Sequence, residues 1–168
     1  MAMLSSRRPE RVMVTGVGGA PGFDLARALL RLGCDVIGTD ADPLACGFLL
    51  PVTSRVAAPA GDRAYATALI ALCRELRPDA LMPTVEAELE ELVQLHGELE
   101  DLAVRTWLPP LRAITSCTDK AVFSSVLTEH GIPTPLTVLP HRLGDLSDEQ
   151  SLVVKPRRGQ GGKHVYYC

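Results

Sequence analysis

Arg11-Val12-Met13-Val14-Thr15 runs without a break into Gly16-Val17-Gly18-Gly19-Ala20-Pro21-Gly22. A short apolar run that stops at glycines reads as a buried strand entering a tight turn. Beyond Gly22, Leu25, Ala28, Leu29 and Leu32 fall at helical spacing, and Gly33 ends that helix. Working outward, Asp35-Val36-Ile37-Gly38-Thr39 is a second strand ending at Asp40, and Thr53 to Ala58 is a weaker third. A helix over 64–76 stops before Pro78, and Ala80-Leu81-Met82 is a fourth strand. An acidic amphipathic helix follows from Glu86 to Leu95, and Leu102-Ala103-Val104 is a fifth strand closed by Pro109-Pro110. Strands alternating with helices across short glycine turns predict an α/β fold, a parallel sheet with helices on both faces. Right-handed crossovers bring the carboxyl ends of such strands to one edge, where ligands bind.

The chain has 168 residues, enough for one full domain and part of another. Apolar residues make up 46% and mean hydropathy is +0.14, so a core forms and global disorder is excluded. The net charge of −3 excludes a nucleic-acid footprint over the whole surface. Charge is uneven: seven acidic side chains lie in 86–101, whereas 155–164 holds four Lys/Arg and one His without an acid. A local basic cluster on an acidic protein suits a small anionic ligand. Cys34, Cys46, Cys73, Cys117 and Cys168 include no C-x-x-C pair, which argues against a zinc or redox motif. Their odd number, with no apolar leader and no membrane-spanning run, predicts reduced thiols and a cytoplasmic location. Residues 1–10 read as a frayed, disordered leader.

The pattern changes after Pro110, so 11–110 is expected to be one domain and 111–168 the start of another. Thr118 and Asp119 are N-cap residues for a helix over 120–129, and Gly131 closes it before Pro133 and Pro135. Residues 136–139 and 151–155 read as two strands joined by a polar loop over 141–150. Val153-Val154-Lys155-Pro156-Arg157-Arg158-Gly159-Gln160-Gly161-Gly162-Lys163 then carries a strand into a basic, glycine-rich hairpin whose second arm starts at His164-Val165-Tyr166-Tyr167.

The ordered set Asp119-Lys120, Gly131-Ile132-Pro133-Thr134-Pro135, Val153-Val154-Lys155-Pro156 and the glycine hairpin resembles the ATP-grasp superfamily. It is nearest in look to carbamoyl-phosphate-synthase-like and carboxylate–amine ligase members. The resemblance covers most of the chain. It implies a Rossmann-like pre-ATP-grasp domain over 11–110 and an incomplete ATP-binding subdomain over 111–168. It also implies an ATP site in which Lys155 and Lys120 face the phosphates, while Gly159, Gly161 and Gly162 close over them through backbone N–H groups. Arg157, Arg158 and Lys163 would add charge-assisted bonds. His164 departs from the small residue usual near that position. In Met82-Pro83-Thr84-Val85-Glu86, Glu86 would face a small carboxylate substrate, with Gly18 and Gly19 as further substrate-side candidates; the alternative for Glu86 is a helix-dipole role. Glu88, Glu90 and Glu91 read as a solvated helix face. The family activates a carboxylate as an acyl phosphate with Mg²⁺. Its metal ligands come from a far subdomain, so the chain alone is expected to be inactive: a fragment, or half of a site completed by another chain. Residues 132–168 are expected to be mobile or to drive homo-oligomerisation.

Two other readings stand beside this one. Thr15-Gly16-x-x-Gly19-x-x-Gly22 with Asp40 after the second strand has the spacing of an NAD(P)-binding short-chain-type oxidoreductase. Such enzymes need a Tyr with a Lys four places on, but Tyr65 is followed by Leu69. The glycines otherwise make a tight turn, and Asp40 a turn or cap. A non-catalytic assembly module is the third reading.

Overall fold

The computed structural model describes residues 10–146, 151–159, 162 and 164–168. Residues 1–9 of the expected leader, 147–150 of the polar loop, Gly161 and Lys163 lie outside the described residues. The chain divides into two compact units, Met1–Leu108 and Pro109–Cys168.

Unit 1 is built on four parallel strands in the order β3-β2-β1-β4, with β1 Arg11–Thr15, β2 Asp35–Asp40, β3 Thr53–Val56 and β4 Ala80–Met82. Val12 is in register with Val36 on one side and Ala80 on the other. The period of two sorts the strands between two cores. Val12, Val14, Val36 and Ala80 pack with Ala26 of α1 (Ala20–Arg31) on one face. Met13, Ile37 and Leu81 pack on the other face with Leu69, Ile70, Cys73 and Leu76 of α2 (Tyr65–Leu76). Leu92 of α3 (Leu89–Gln94) and Leu99 of α4 (His96–Asp101) complete that second face. Glu10, which the sequence reading assigned to the leader, is held by the sheet: its carbonyl accepts from Asp35 N and its amide donates to Asp79 Oδ2.

The expected acidic helix is a 3-10 turn, Glu86–Glu88, followed by α3 and α4, with a break at Leu95. The expected fifth strand at 102–104 does not form. Helix α4 closes over it instead, with Ala103 N donating to Glu100 O and Val104 N to Leu99 O. Ala103 reverses the chain at φ 58, leaving one bridge between Arg105 and Ala80.

Unit 2 holds α5 (Leu111–Thr118), which the sequence reading missed, and α6 (Lys120–Glu129), whose bounds match expectation. The strand expected at 136–139 is absent. Pro133, Pro135 and Pro140 flank it and supply no ladder donors. Instead β5 (Val153–Val154) pairs antiparallel with β6 (Tyr166–Tyr167), Val153 opposite Tyr167. Leu152 and Cys168 exchange both backbone hydrogen bonds beside them, at 2.8 and 2.9 Å. All five cysteines are free thiols. Among the described residues, no helix is long and apolar enough to cross a membrane.

Candidate functional site

In unit 2, residues about forty apart in sequence come together at the start of α6. Asp119 is the N-cap: its Oδ1 accepts from Ala121 N at 3.0 Å and Val122 N at 3.3 Å. Arg157 grips the same carboxylate with two prongs, Nε to Oδ1 at 3.1 Å and Nη2 to Oδ2 at 2.6 Å. The Arg157 hydrogen bonds, reinforced by the helix amides, hold the Asp119 carboxyl below its ordinary range despite its burial, and the guanidinium is raised in turn. Next in sequence, Lys120 donates its backbone N–H to Arg157 O at 2.9 Å and its ammonium to Gly159 O at 2.8 Å. The helix start and the entry of the glycine hairpin are thus one assembled element.

Lys155 leaves β5 exposed to solvent. Gly159 and Gly162 adopt φ of +133° and +69°, conformations that favour glycine, and a β-carbon at either would meet open space. Among the described residues the β-carbon side of both glycines is open, while the Gly159 carbonyl is taken by Lys120. Lys120, Arg157 and Gly159 are therefore brought together, and Lys155 follows β5 two residues before Arg157. Arg157 is engaged by Asp119 but keeps further guanidinium donors. Arg158 is exposed, and His164 sits at φ 57. Asp119 and the carbonyl oxygens at 157 and 159 are the ordering contacts that spacing alone did not reveal.

In unit 1 the strand order reverses between β1 and β4, the switch point where sheets of this kind take ligands. Gly16–Gly22 follows β1 there, and Pro83–Glu86 follows β4. The turn amides are engaged internally: Val17 N donates to Thr39 O, Gly18 N to Asp40 Oδ2 at 2.7 Å, and Gly19 N to Gly16 O. A β-carbon on Gly18 would lie 2.9 Å from Asp40 Oδ2, and one on Gly22 would lie 2.2 Å from Gly16 O. Close packing accounts for these glycines. Asp40 closes the turn, and its other oxygen accepts from Asp42 N, so the turn is capped by its own carboxylate.

Glu86 is half-buried at the same edge. Glu88, expected on a solvated face, is 6% exposed. Its Oε2 accepts from Thr15 Oγ1 at 2.5 Å, and the Tyr65 hydroxyl is buried within its electrostatic reach. The missed signal was spacing, because Glu88, Leu92, Leu95 and Leu99 fall on one helical stripe despite the surrounding acids. Among the described residues, no group of three or more His, Cys, Asp or Glu is placed to hold a metal ion.

No family model and no curated protein matches the sequence. Solved structures do match the fold. The biotin carboxylase domain of 2-oxoglutarate carboxylase from Hydrogenobacter thermophilus, solved with MgADP, ADP and bicarbonate, aligns with TM-score 0.65 and 17% identity over 96% of this chain and 38% of that one. Glycinamide-RNase-transformylase T from Mycobacterium tuberculosis aligns with TM-score 0.57 and 27% identity over 75% of this chain and 37% of that one. N5-carboxyaminoimidazole ribonucleotide synthetase from Thermotoga maritima gives TM-score 0.57 and 19% identity over 94% and 40%. The chain thus spans about two fifths of the length of these neighbours.

Proposed function

We propose that this chain, which has an ATP-grasp fold, is part of a carboxylate-activating ligase and that its unit 2 binds the phosphates of ATP. The observation that supports this most is the tie of Lys120 to Gly159 and of Asp119 to Arg157, which joins a helix start to a glycine hairpin beside an exposed Lys155. The donor set fits a polyphosphate: ammonium groups, and the backbone N–H groups of a glycine-rich turn. In this reading Lys155 directs its ammonium at the phosphates. Lys120 orders the hairpin through Gly159 O and places a second cation beside it. Arg157 aligns the hairpin from Asp119, and the N–H groups around Gly159, Gly161 and Gly162 cover the phosphates, with Arg158 and Lys163 adding charge. ATP supplies the phosphoryl group that converts a carboxylate to an acyl phosphate.

Glu86, with Gly18 and Gly19 nearby in the turn, is the candidate edge for a small carboxylate substrate, supported by its place at the switch point. Of these, Glu86 is the stronger candidate, because the Gly18 and Gly19 amides are already engaged. Mg²⁺ would travel with the nucleotide. In unit 2, Asp119 is held by Arg157 and Asp145 by Arg142.

Calorimetric titration of the 168-residue chain with ATP and Mg²⁺ tests this. Loss of a charge-assisted bond is worth roughly 1.5–3 kcal/mol, so Lys155→Ala should weaken binding about tenfold or more. Unchanged affinity in Lys155→Ala, or saturable NAD binding with no response to ATP, would count against the reading.

A further inference from the structure

Three polar side chains are buried together under the open edge of unit 1: Thr15 and Tyr65 at 2% exposure and Glu88 at 6%. They come from the end of β1, the start of α2 and the turn after β4. The Thr15 hydroxyl donates to Glu88 Oε2 and accepts from Thr84 N at 3.3 Å. The Thr84 hydroxyl donates back to Thr15 O at 2.6 Å. A continuous path therefore runs from the Glu88 carboxyl through the Thr15 hydroxyl to the backbone of the segment that carries Glu86. Gly16 lies against the same segment, where a β-carbon would come 2.5 Å from Val85 Cγ2. An apolar side chain at 88 would bury beside Leu92 at lower cost. What a carboxyl adds is an acceptor whose strength depends on its charge.

We propose that Glu88 is a positioning residue: through the Thr15 hydroxyl it sets how Pro83–Glu86 is held at the switch point, and gaining a proton shifts that segment. The inference rests on the reading of Glu86 as substrate-facing only for its consequence. The groups acting on Glu88 are the Thr15 and Tyr65 hydroxyls and the Asp40 charge, and Tyr65 in turn feels Glu91 on α3 and Cys73 on α2; none of these is cationic. Burial pushes the Glu88 carboxyl up to about 7, against the pull of the Thr15 and Tyr65 hydroxyls and with help from the Asp40 charge. The charge on Glu88 therefore changes near neutral pH. Ionised, Glu88 fixes the Thr15 proton, leaving the hydroxyl oxygen for Thr84 N. Protonated, it is a weaker acceptor, and the Thr15 hydroxyl is free to turn.

The test is a pH titration of the 168-residue chain by ¹H–¹⁵N NMR, with no ligand added. The Thr84, Val85 and Glu86 amide shifts should follow one transition with a midpoint near 7. That transition should persist in Glu86→Gln and vanish in Glu88→Gln. Thr15→Val should also uncouple the segment while the Glu88 carboxyl, followed by ¹³C, still titrates. Thr15→Val decides the matter if Glu88→Gln does not fold. Flat Thr84–Glu86 amides in the wild type, or a transition unchanged in Glu88→Gln or Thr15→Val, would overturn the proposal. Failure of Glu86 to bind substrate would leave these shifts in place, so the two ideas are separable.

Discussion

A β-carbon at position 22 would sit 2.2 Å from the Gly16 carbonyl oxygen, with backbone on one side and Thr84 on the other. Neither can withdraw, so Gly22→Ala should destabilise unit 1 by roughly 1–3 kcal/mol, read as a lower urea midpoint with an unchanged slope. Glu88 makes a prediction of the opposite kind. Its folded value, about 7, lies above the ordinary 4.5. The folded state therefore holds a proton that the unfolded state has released, so this stabilising contribution is complete below pH 4.5 and is lost as pH rises through 7. The loss approaches about 3 kcal/mol. Glu88→Gln should flatten the fall in stability between pH 5 and pH 8 in urea unfolding; an equal fall in the variant would assign it elsewhere. The sequence concealed Glu88 because charge dominates 86–101, although its place on the Leu92–Leu95–Leu99 stripe was readable. The glycines were legible as a turn, but their reason was not, since a 2.2 Å approach is a tertiary fact.

Helix α6 was legible because its start is a local event: Asp119 caps amides two and three residues on. The same Asp119 also holds Arg157, thirty-eight residues away, which no local pattern reports. Asp119→Ala should therefore lower the thermal midpoint of unit 2 and loosen the hairpin together, whereas Asp119→Asn should retain the cap and lose part of the Arg157 grip. The strands expected at 102–104 and 136–139 failed for different reasons. The first is consumed by the closing turn of α4, and the second is flanked by prolines. The actual partner of β5 is β6, with Val153, Val154, Tyr166 and Tyr167 all exposed. Two strands alone are marginal in water. The Leu152 and Cys168 amides should accordingly exchange orders of magnitude faster than the Val14 amide, as measured by hydrogen exchange. Equal protection would show that the pair has support the described residues do not supply.

At the scale of the whole molecule, the parallel sheet was readable because buried strands alternate with periodic helices, and the period of two sorts Val12 and Val14 from Met13. The strand order β3-β2-β1-β4 was not readable, yet it sets the switch point between β1 and β4 beside which Glu86 lies. The chain divides into Met1–Leu108 and Pro109–Cys168, and the proposed reading gives the first the edge for a small substrate and the second the hairpin for phosphate. That assignment of roles is the central claim, and amide shift mapping of the 168-residue chain with ATP and Mg²⁺ tests it most directly. The account predicts saturable shifts at Lys120, Lys155, Gly159 and Gly162, which in Lys155→Ala need about tenfold or more ATP to reach the same amplitude. Shifts confined to Gly16–Gly22 and Asp40, or a response to NAD in their place, would contradict it.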